Sequence, residues 1–287
     1  MTETLPAPGP TTATDVASAL TLLFVPGDRP ERYGKAAASG ADVIVIDLED
    51  AVAPAAKEAA RDAAVAWFAE GGVGVVRVNA PDTEYFDADV AALAPHVEVV
   101  VLPKAQDPQV IAALVSRLRE ARPDAAVLAL IETATGILAA AQTAEVPGVV
   151  RLAFCNFDLS TELGLSPDDH QALWPLRTQL VVASAAAGLP APVDGVSGSI
   201  DDSEVIEADT SHAVRVGYGA KLCIHPRQVP VVAAGFAPSD DEVAWATRVL
   251  AAWDQTTSGA VALDGKMIDK PVIDRARRVL AAGEGRS

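Results

Sequence analysis

The sequence predicts an α/β fold: a (β/α)8 TIM barrel followed by a C-terminal helical lid segment. Three observations point to it. Apolar runs alternate with helical patterns as eight units over about 220 residues, the scale of one such barrel. The runs are continuously apolar, which marks strands of a parallel sheet buried on both faces. Glycine closes the helices at Gly40, Gly71, Gly188 and Gly217. The rival is a doubly wound open sheet, which usually carries a glycine-rich dinucleotide turn after its first strand. Here that turn reads Pro26-Gly27-Asp28-Arg29-Pro30.

The elements follow in order. Residues 21–25 form the first strand, ended by Pro26-Gly27, and a helix covers 30–39. The second strand, 42–47, is followed by a helix over 55–69 that stops at Gly71-Gly72. Strands three and four are residues 74–79 and 97–102, with a helix at 108–121. Strands five and six are residues 127–131 and 149–154, with a helix between them. A longer helix spans 171–187, and strand seven lies at 192–196. A helix at 202–216 leads to strand eight at 220–224. Beyond the barrel come a helix at 240–253, a connector at Thr256-Thr257-Ser258-Gly259, and a turn-bearing stretch at 260–269. The last helix opens near Pro271, a residue suited to a first helical turn. This gives a disordered tail over 1–18, a catalytic barrel over 19–238, and a lid or oligomerisation segment over 239–287. The lid could pack on its own barrel or on a neighbour's.

Composition narrows the partners. Half of the 287 residues are hydrophobic and only 5% are aromatic, so the core is built from small aliphatics. The formal net charge of −17 repels nucleic acid and anionic membranes. It does not exclude an anionic substrate, because local basic residues can overrule the global field. Cys155 and Cys223 lack metal-site or paired spacing and read as buried free thiols. The first 18 residues carry no Lys or Arg and no apolar signal core, and no apolar run approaches the roughly 20 residues of a membrane span. A cytoplasmic protein is expected.

The chemistry gathers at strand ends. Glu132 follows strand five and Asp158 follows strand six. Consecutive strand ends of a barrel open on one face, so both carboxylates should converge on one pocket, where they suit a hard cation such as Mg²⁺. Each has a plainer role as a helix cap. Arg77 ends strand three; buried arginine needs a partner, and Glu49 or Asp50 would serve. A cation and an arginine beside a developing oxyanion suit enolate chemistry. Asp47, Glu49 and Asp50 crowd the end of strand two, where Glu49 and Asp50 either position water or form a solvated rim. Arg29, Arg32 and Lys35 after strand one fit phosphate recognition or surface ion pairing. Lys104 ends strand four, where a Schiff-base lysine is the alternative to metal chemistry. Lys221 sits at the wrong end of its strand for that role, and His225 either holds a turn or touches ligand.

Seven stretches, in order, resemble the citrate lyase β-subunit and malyl-CoA lyase (HpcH/HpaI aldolase) family. They are LLFVPGDRPERYGKA, DVIVIDLEDAVAPAAKEAAR, VVRVNA, VVVLPKA, LALIETATGIL, GAKLCIHPRQV and VALDGKMIDKP, running from residue 22 to 271. The resemblance implies a trimeric or hexameric barrel with Mg²⁺ on Glu132 and Asp158 and with Arg77 beside the reacting carbonyls. It implies a CoA thioester substrate entering past Arg29, Arg32 and Lys35. It implies that Asp264, on a neighbouring subunit's lid, moves a proton at the acyl-CoA methyl group. The implied reaction is reversible cleavage of a malyl-, citramalyl- or citryl-CoA-like thioester to acetyl-CoA, or a homologue, and a 2-oxo acid. Related roles are an aldolase of free hydroxy-oxo acids, a carrier-dependent citrate lyase β-subunit and a non-catalytic acyl-CoA-binding subunit. The family often has glycine where this chain has Cys155, which should narrow the pocket floor.

Overall fold

The computed structural model describes residues 10–255 and 260–284, in two compact units, Met1–Gly235 and Phe236–Ser287. The first unit opens with α1 (Ala13–Ser18) and β1 (Thr21–Pro26). A 3-10 turn at Pro30–Arg32 feeds α2 (Tyr33–Ala37), then β2 (Val43–Asp47). A second 3-10 turn at Pro54–Ala56 runs into α3 (Lys57–Ala69). Next come β3 (Val75–Arg77), α4 (Phe86–Leu93), β4 (Val99–Leu102), α5 (Pro108–Ala121) and β5 (Ala126–Ile131). They are followed by α6 (Ala134–Ala144), β6 (Val149–Phe154), α7 (Asn156–Leu163) and α8 (His170–Ala186). The series ends with β7 (Val193–Asp194), α9 (Ser203–Val216), β8 (Ala220–Cys223) and α10 (Gln228–Phe236). Strands β1 to β8 form a closed parallel barrel in sequence order, sealed where β8 pairs β1. The α/β barrel expected from the strand pattern is therefore present.

Val43, Val45, Val75, Val99, Val101, Leu128 and Leu130 belong to one buried apolar cluster. Four consecutive strands, β2 to β5, contribute them to the filled core of the barrel. Val16 and Ala19 join the same cluster, and Arg151 of β6 donates to the carbonyls of both, at 3.0 and 2.7 Å. The expectation of a disordered tail through Ser18 is thus corrected. Thr12 and Asp15 make a reciprocal capping box, and α1 is a helix held by its own cap and by Arg151. Residues 1–9 of that expected tail lie outside the described residues. The structure adds two further helices, α4 and α10, and the barrel unit ends at Gly235 rather than at 238.

Gly27 marks the β1 exit. A Cβ there would sit 2.7 Å from the Asp47 carbonyl oxygen, to which Gly27 N donates at 2.8 Å. Glycine is what lets the two strand ends approach this closely.

The second unit contains α11 (Asp240–Asp254), the antiparallel pair β9 (Val261–Leu263) and β10 (Lys266–Ile268), and α12 (Lys270–Glu284). It has its own core around Ala246, Val249, Ile268, Ile273 and Ala276. The expected connector at 256–259 lies outside the described residues. Among the described residues, no helix is long and apolar enough to cross a membrane.

Candidate active site

Asp47 ends β2 and Arg77 ends β3, and the parallel register sets them side by side. Arg77 Nε and Nη2 donate to the two Asp47 carboxylate oxygens, both at 2.7 Å. This fork is the strong bidentate form of the guanidinium–carboxylate pair. The Phe24 ring centroid lies 4.8 Å from Arg77 Cζ and packs the guanidinium from a third strand. Burial opposes the arginine's charge, but Asp47 and Glu49 outweigh it and push its pKa up.

Asp47 does further work through its neighbours. It accepts from Glu49 N at 2.9 Å and from Ala51 N at 3.3 Å, which shapes the turn after β2. Lys57 of α3 reinforces the turn, donating Nζ to the Leu48 and Glu49 carbonyls at 2.7 and 2.6 Å. The turn presents Glu49, whose Oε2 lies 3.1 Å from Arg77 Nη1 and whose Oε1 accepts from Lys104 Nζ at 2.7 Å. Asp50 is exposed, 4.0 Å from Arg77. Burial raises the Glu49 pKa although Arg77 and Lys104 oppose the shift.

Lys104 reaches Glu132 through its backbone. Its φ of 47° is unusual for a non-glycine residue, and its N–H donates to Glu132 Oε1 at 2.8 Å. Burial would lower the pKa of its side chain, but Glu49 more than offsets this and raises it. A Schiff-base lysine needs a neutral amine. The ammonium held on Glu49 argues against that alternative.

Glu132 is 1% exposed, and its Oε2 is buried without a hydrogen-bond partner. The helix-capping role that competed for it belongs to Thr133, whose Oγ1 accepts from Gly136 N at 2.9 Å. Burial first, then the charges of Glu49 and Asp158, push the Glu132 carboxyl up to about 8 against the pull of Arg77. Asp158 sits in the first turn of α7, one strand along. Its Oδ2 accepts from Cys155 Sγ at 2.8 Å. Ligand atoms of Glu132, Cys155 and Asp158 all lie within 4.8 Å of one another. Lys104, Glu132, Thr133, Phe157, Asp158 and Thr161 help line a cavity of about 360 Å³ at this point.

These residues fit a hard divalent cation. A buried carboxylate oxygen has no partner, a second carboxylate is adjacent, and acids outnumber the bases Arg77 and Lys104. Cys155 and Cys223 are free thiols, Cys223 buried and Cys155 only partly so. Burial and the two neighbouring carboxylates raise the Cys155 pKa, so it enters this cluster as a neutral donor.

The remaining candidates make other contacts. Arg29 and Arg32 are exposed after β1, each 3.9 Å from its adjacent acid, Asp28 or Glu31, and Lys35 is exposed as well. His225 holds a turn, its Nδ1 accepting from Arg227 N at 3.2 Å. Lys221 is buried on Asp194, which also binds Arg177 at 2.6 Å. Asp264 belongs to the second unit, where Asp264-Gly265 forms the turn between β9 and β10. Both residues have positive φ, 50° and 72°, as a tight two-residue hairpin demands. Asp264 is exposed, 3.4 Å from Arg248.

Known proteins are similar to this chain in sequence and fold. The HpcH/HpaI aldolase/citrate lyase family matches residues 20–226. A citrate lyase subunit beta-like protein of Mycobacterium tuberculosis is 38% identical over 273 residues, covering 92% of this chain and 96% of that one. A (3S)-malyl-CoA thioesterase of Cereibacter sphaeroides is 34% identical over 275 residues, covering 92% and 94%. The crystal structure of CitE from Mycobacterium tuberculosis in complex with magnesium, acetoacetate and coenzyme A is similar with a TM-score of 0.81 and 36% identity, covering 93% of this chain and 99% of that one. With a matching segment that takes in the whole barrel and relatives aligned nearly end to end, the chain belongs to the HpcH/HpaI aldolase/citrate lyase family.

Proposed function

We propose that this chain is a Mg²⁺-dependent carbon–carbon lyase. It reversibly cleaves a short 3-hydroxyacyl-CoA of malyl, citramalyl or citryl type to acetyl-CoA, or a homologue, and a 2-oxo acid. The observation that carries this reading is Glu132: a buried carboxylate with one oxygen unpartnered, beside Asp158, in a pocket richer in acids than in bases. The CitE relative with magnesium, acetoacetate and coenzyme A supports it.

Glu132 and Asp158 would hold the cation. When bound, it supplies the Lewis acidity that polarises the 2-oxo acid. The chain's own residues do the rest. Arg77, pinned by Asp47, offers Nη1 as a fixed positive charge where the oxygen of a thioester enolate gathers charge. Glu49 keeps Arg77 and Lys104 in place, and Asp50 orders water at the rim. Asp264, supplied by the lid of a neighbouring subunit in a homotrimer or hexamer, takes the proton from the acetyl-CoA methyl carbon in the synthetic direction. It returns the proton in cleavage. Arg29, Arg32 and Lys35 are the exposed cations for the CoA phosphates.

A second reading is favoured by the relative named as a (3S)-malyl-CoA thioesterase. There the thioester bond breaks rather than the carbon–carbon bond. One assay separates the two. Acetyl-CoA is supplied with Mg²⁺ and glyoxylate, pyruvate or oxaloacetate in turn, with and without EDTA, and products are resolved by mass. EDTA-sensitive formation of a hydroxyacyl-CoA supports the lyase. Release of free CoA and hydroxy acid from a supplied malyl-CoA, with no carbon–carbon exchange, supports the thioesterase. Asp264→Asn should keep Mg²⁺ binding and abolish solvent exchange of the acetyl-CoA methyl protons; unchanged exchange removes Asp264 from the mechanism.

A further inference from the structure

The sulfur of Cys155 stands in the same cluster as the two carboxylates. Its Sγ donates to Asp158 Oδ2 at 2.8 Å, and it lies with ligand atoms of Glu132 and Asp158 inside a 4.8 Å sphere of mutual approach. The thiol proton thus occupies the space between sulfur and carboxylate that a shared cation would fill. A second, independent feature points to a ligand there: Glu132 Oε2 is buried and has no partner. Two carboxylates alone select hard cations, whereas two carboxylates plus a thiolate form a three-ligand set with an open fourth position, a donor set that borderline and soft cations accept.

We propose that this pocket also takes a thiophilic divalent cation, Zn²⁺ or Cd²⁺, held by Glu132, Asp158 and the Cys155 thiolate in competition with the hard cation. The proposal rests on the reading of Glu132 and Asp158 as cation ligands. Loading breaks the S–H bond and forms a sulfur–metal bond; the proton leaves to water, and no electrons are transferred. Because the thiolate charge is then neutralised by the cation, the added ligand makes the soft ion harder to displace than Mg²⁺. A chain with this residue at position 155 therefore binds zinc in place of the hard cation at the same site.

Cd²⁺ titration of the metal-stripped protein tests this, read by the ultraviolet thiolate-to-cadmium charge-transfer band. Mn²⁺ binding, read by electron paramagnetic resonance, is measured in parallel. The expected result is a band that saturates at one equivalent of Cd²⁺ and a Mn²⁺ signal that Cd²⁺ displaces. Cys155→Ser and Cys155→Ala should lose the band and weaken Cd²⁺ binding by about tenfold or more, while Mn²⁺ binding changes far less. Cys223→Ala, at the buried second thiol, should keep the band. Mn²⁺ binding to the wild type with no cadmium band, or a band that survives Cys155→Ser, overturns the sulfur ligand and leaves the carboxylate site standing. Absence of both signals overturns the cation reading of Glu132 and Asp158 and this inference with it.

Discussion

Burial of Glu132 has a direct chemical consequence. Its carboxyl is raised from 4.5 to about 8, so between those values the folded, metal-free chain keeps a proton that the unfolded chain has released. The folded state then binds more protons, and its stability falls as pH rises through that window. Glu132→Gln removes this contribution. Thermal melts of the EDTA-treated proteins should show the wild type losing stability from pH 5 to 8 more steeply than the variant; parallel slopes would refute the assignment. Cation binding must expel the same proton, so Mn²⁺ affinity should climb with pH and level off above about 8. Arg77 lends itself to a different measurement. Arg77→Lys keeps the charge but not the fork on Asp47, and kcat/KM should drop by about 10²–10³. Arg77→Ala leaves Asp47 and Glu49 buried without their guanidinium, at a cost of about 3–5 kcal/mol in urea denaturation. Glu132, Asp158 and Arg77 were legible in the sequence because each is a charged residue ending an apolar run. Asp47 as the partner of Arg77 was not, since the pairing depends on parallel register. Nor was the Lys104 amide on Glu132, which depends on a backbone turn with φ of 47° that sequence spacing does not encode.

Elements were legible where burial was apolar and hidden where it was polar. Strands β1, β2, β4 and β5 stand out as apolar runs, whereas β7 is only Val193-Asp194 and β8 is interrupted by Lys221. Helix α4 does not stand out, because its inward face carries Asp89, fully buried, which accepts from Asn79 N and Nδ2 and pairs with Arg61. An acid on the core side breaks the apolar period by which helices are read. Helix α10 contains Pro230 and Gly235, both breaker signals. Pro230 falls in the first turn, where a missing N–H costs nothing. Gly235 is needed because a Cβ there would meet Thr210 Cγ2 at 2.6 Å. Helix α1 is not legible in the sequence because six residues seldom form a helix unaided. Its support is Arg151, which donates to the Ala191, Val16 and Ala19 carbonyls at 2.7, 3.0 and 2.7 Å. Burial lowers the pKa of this guanidinium to about 10. Arg151→Met should leave those buried carbonyls short of donors and cost about 1–3 kcal/mol in urea denaturation. Turnover should hold, because Arg151 braces α1 and the loop before β7 rather than the pocket that holds Glu132. A loss of kcat comparable to that of Arg77→Lys would show instead that α1 controls the site.

The whole molecule divides into a barrel that carries Glu132, Asp158 and Arg77 and a second unit that carries Asp264. That division makes the source of Asp264 an experimental question with a numerical answer. The hairpin that presents Asp264 turns tightly at its tip, where Asp264 and Gly265 take the paired positive φ values of a two-residue turn. Its aspartate is exposed and lies 3.4 Å from Arg248. If each site joins Glu132 of one subunit to Asp264 of the next, two individually inactive variants should complement each other. Co-expression of Glu132→Gln with Asp264→Asn places an intact Glu132 next to an intact Asp264 in about one quarter of the interfaces of a randomly assembled closed ring. Oligomers purified as mixed exclude the inactive homo-oligomers, so a mixed trimer should recover about a third of wild-type turnover and a mixed hexamer about a quarter. If the aspartate instead folds over its own barrel, every site in the mixture carries one lesion and no activity returns. Differently tagged subunits, purified through both tags in series, ensure that the measurement is made on mixed oligomers. Mixed oligomers that remain inactive while still binding Mn²⁺ at half their sites would assign Asp264 to the subunit that holds the cation.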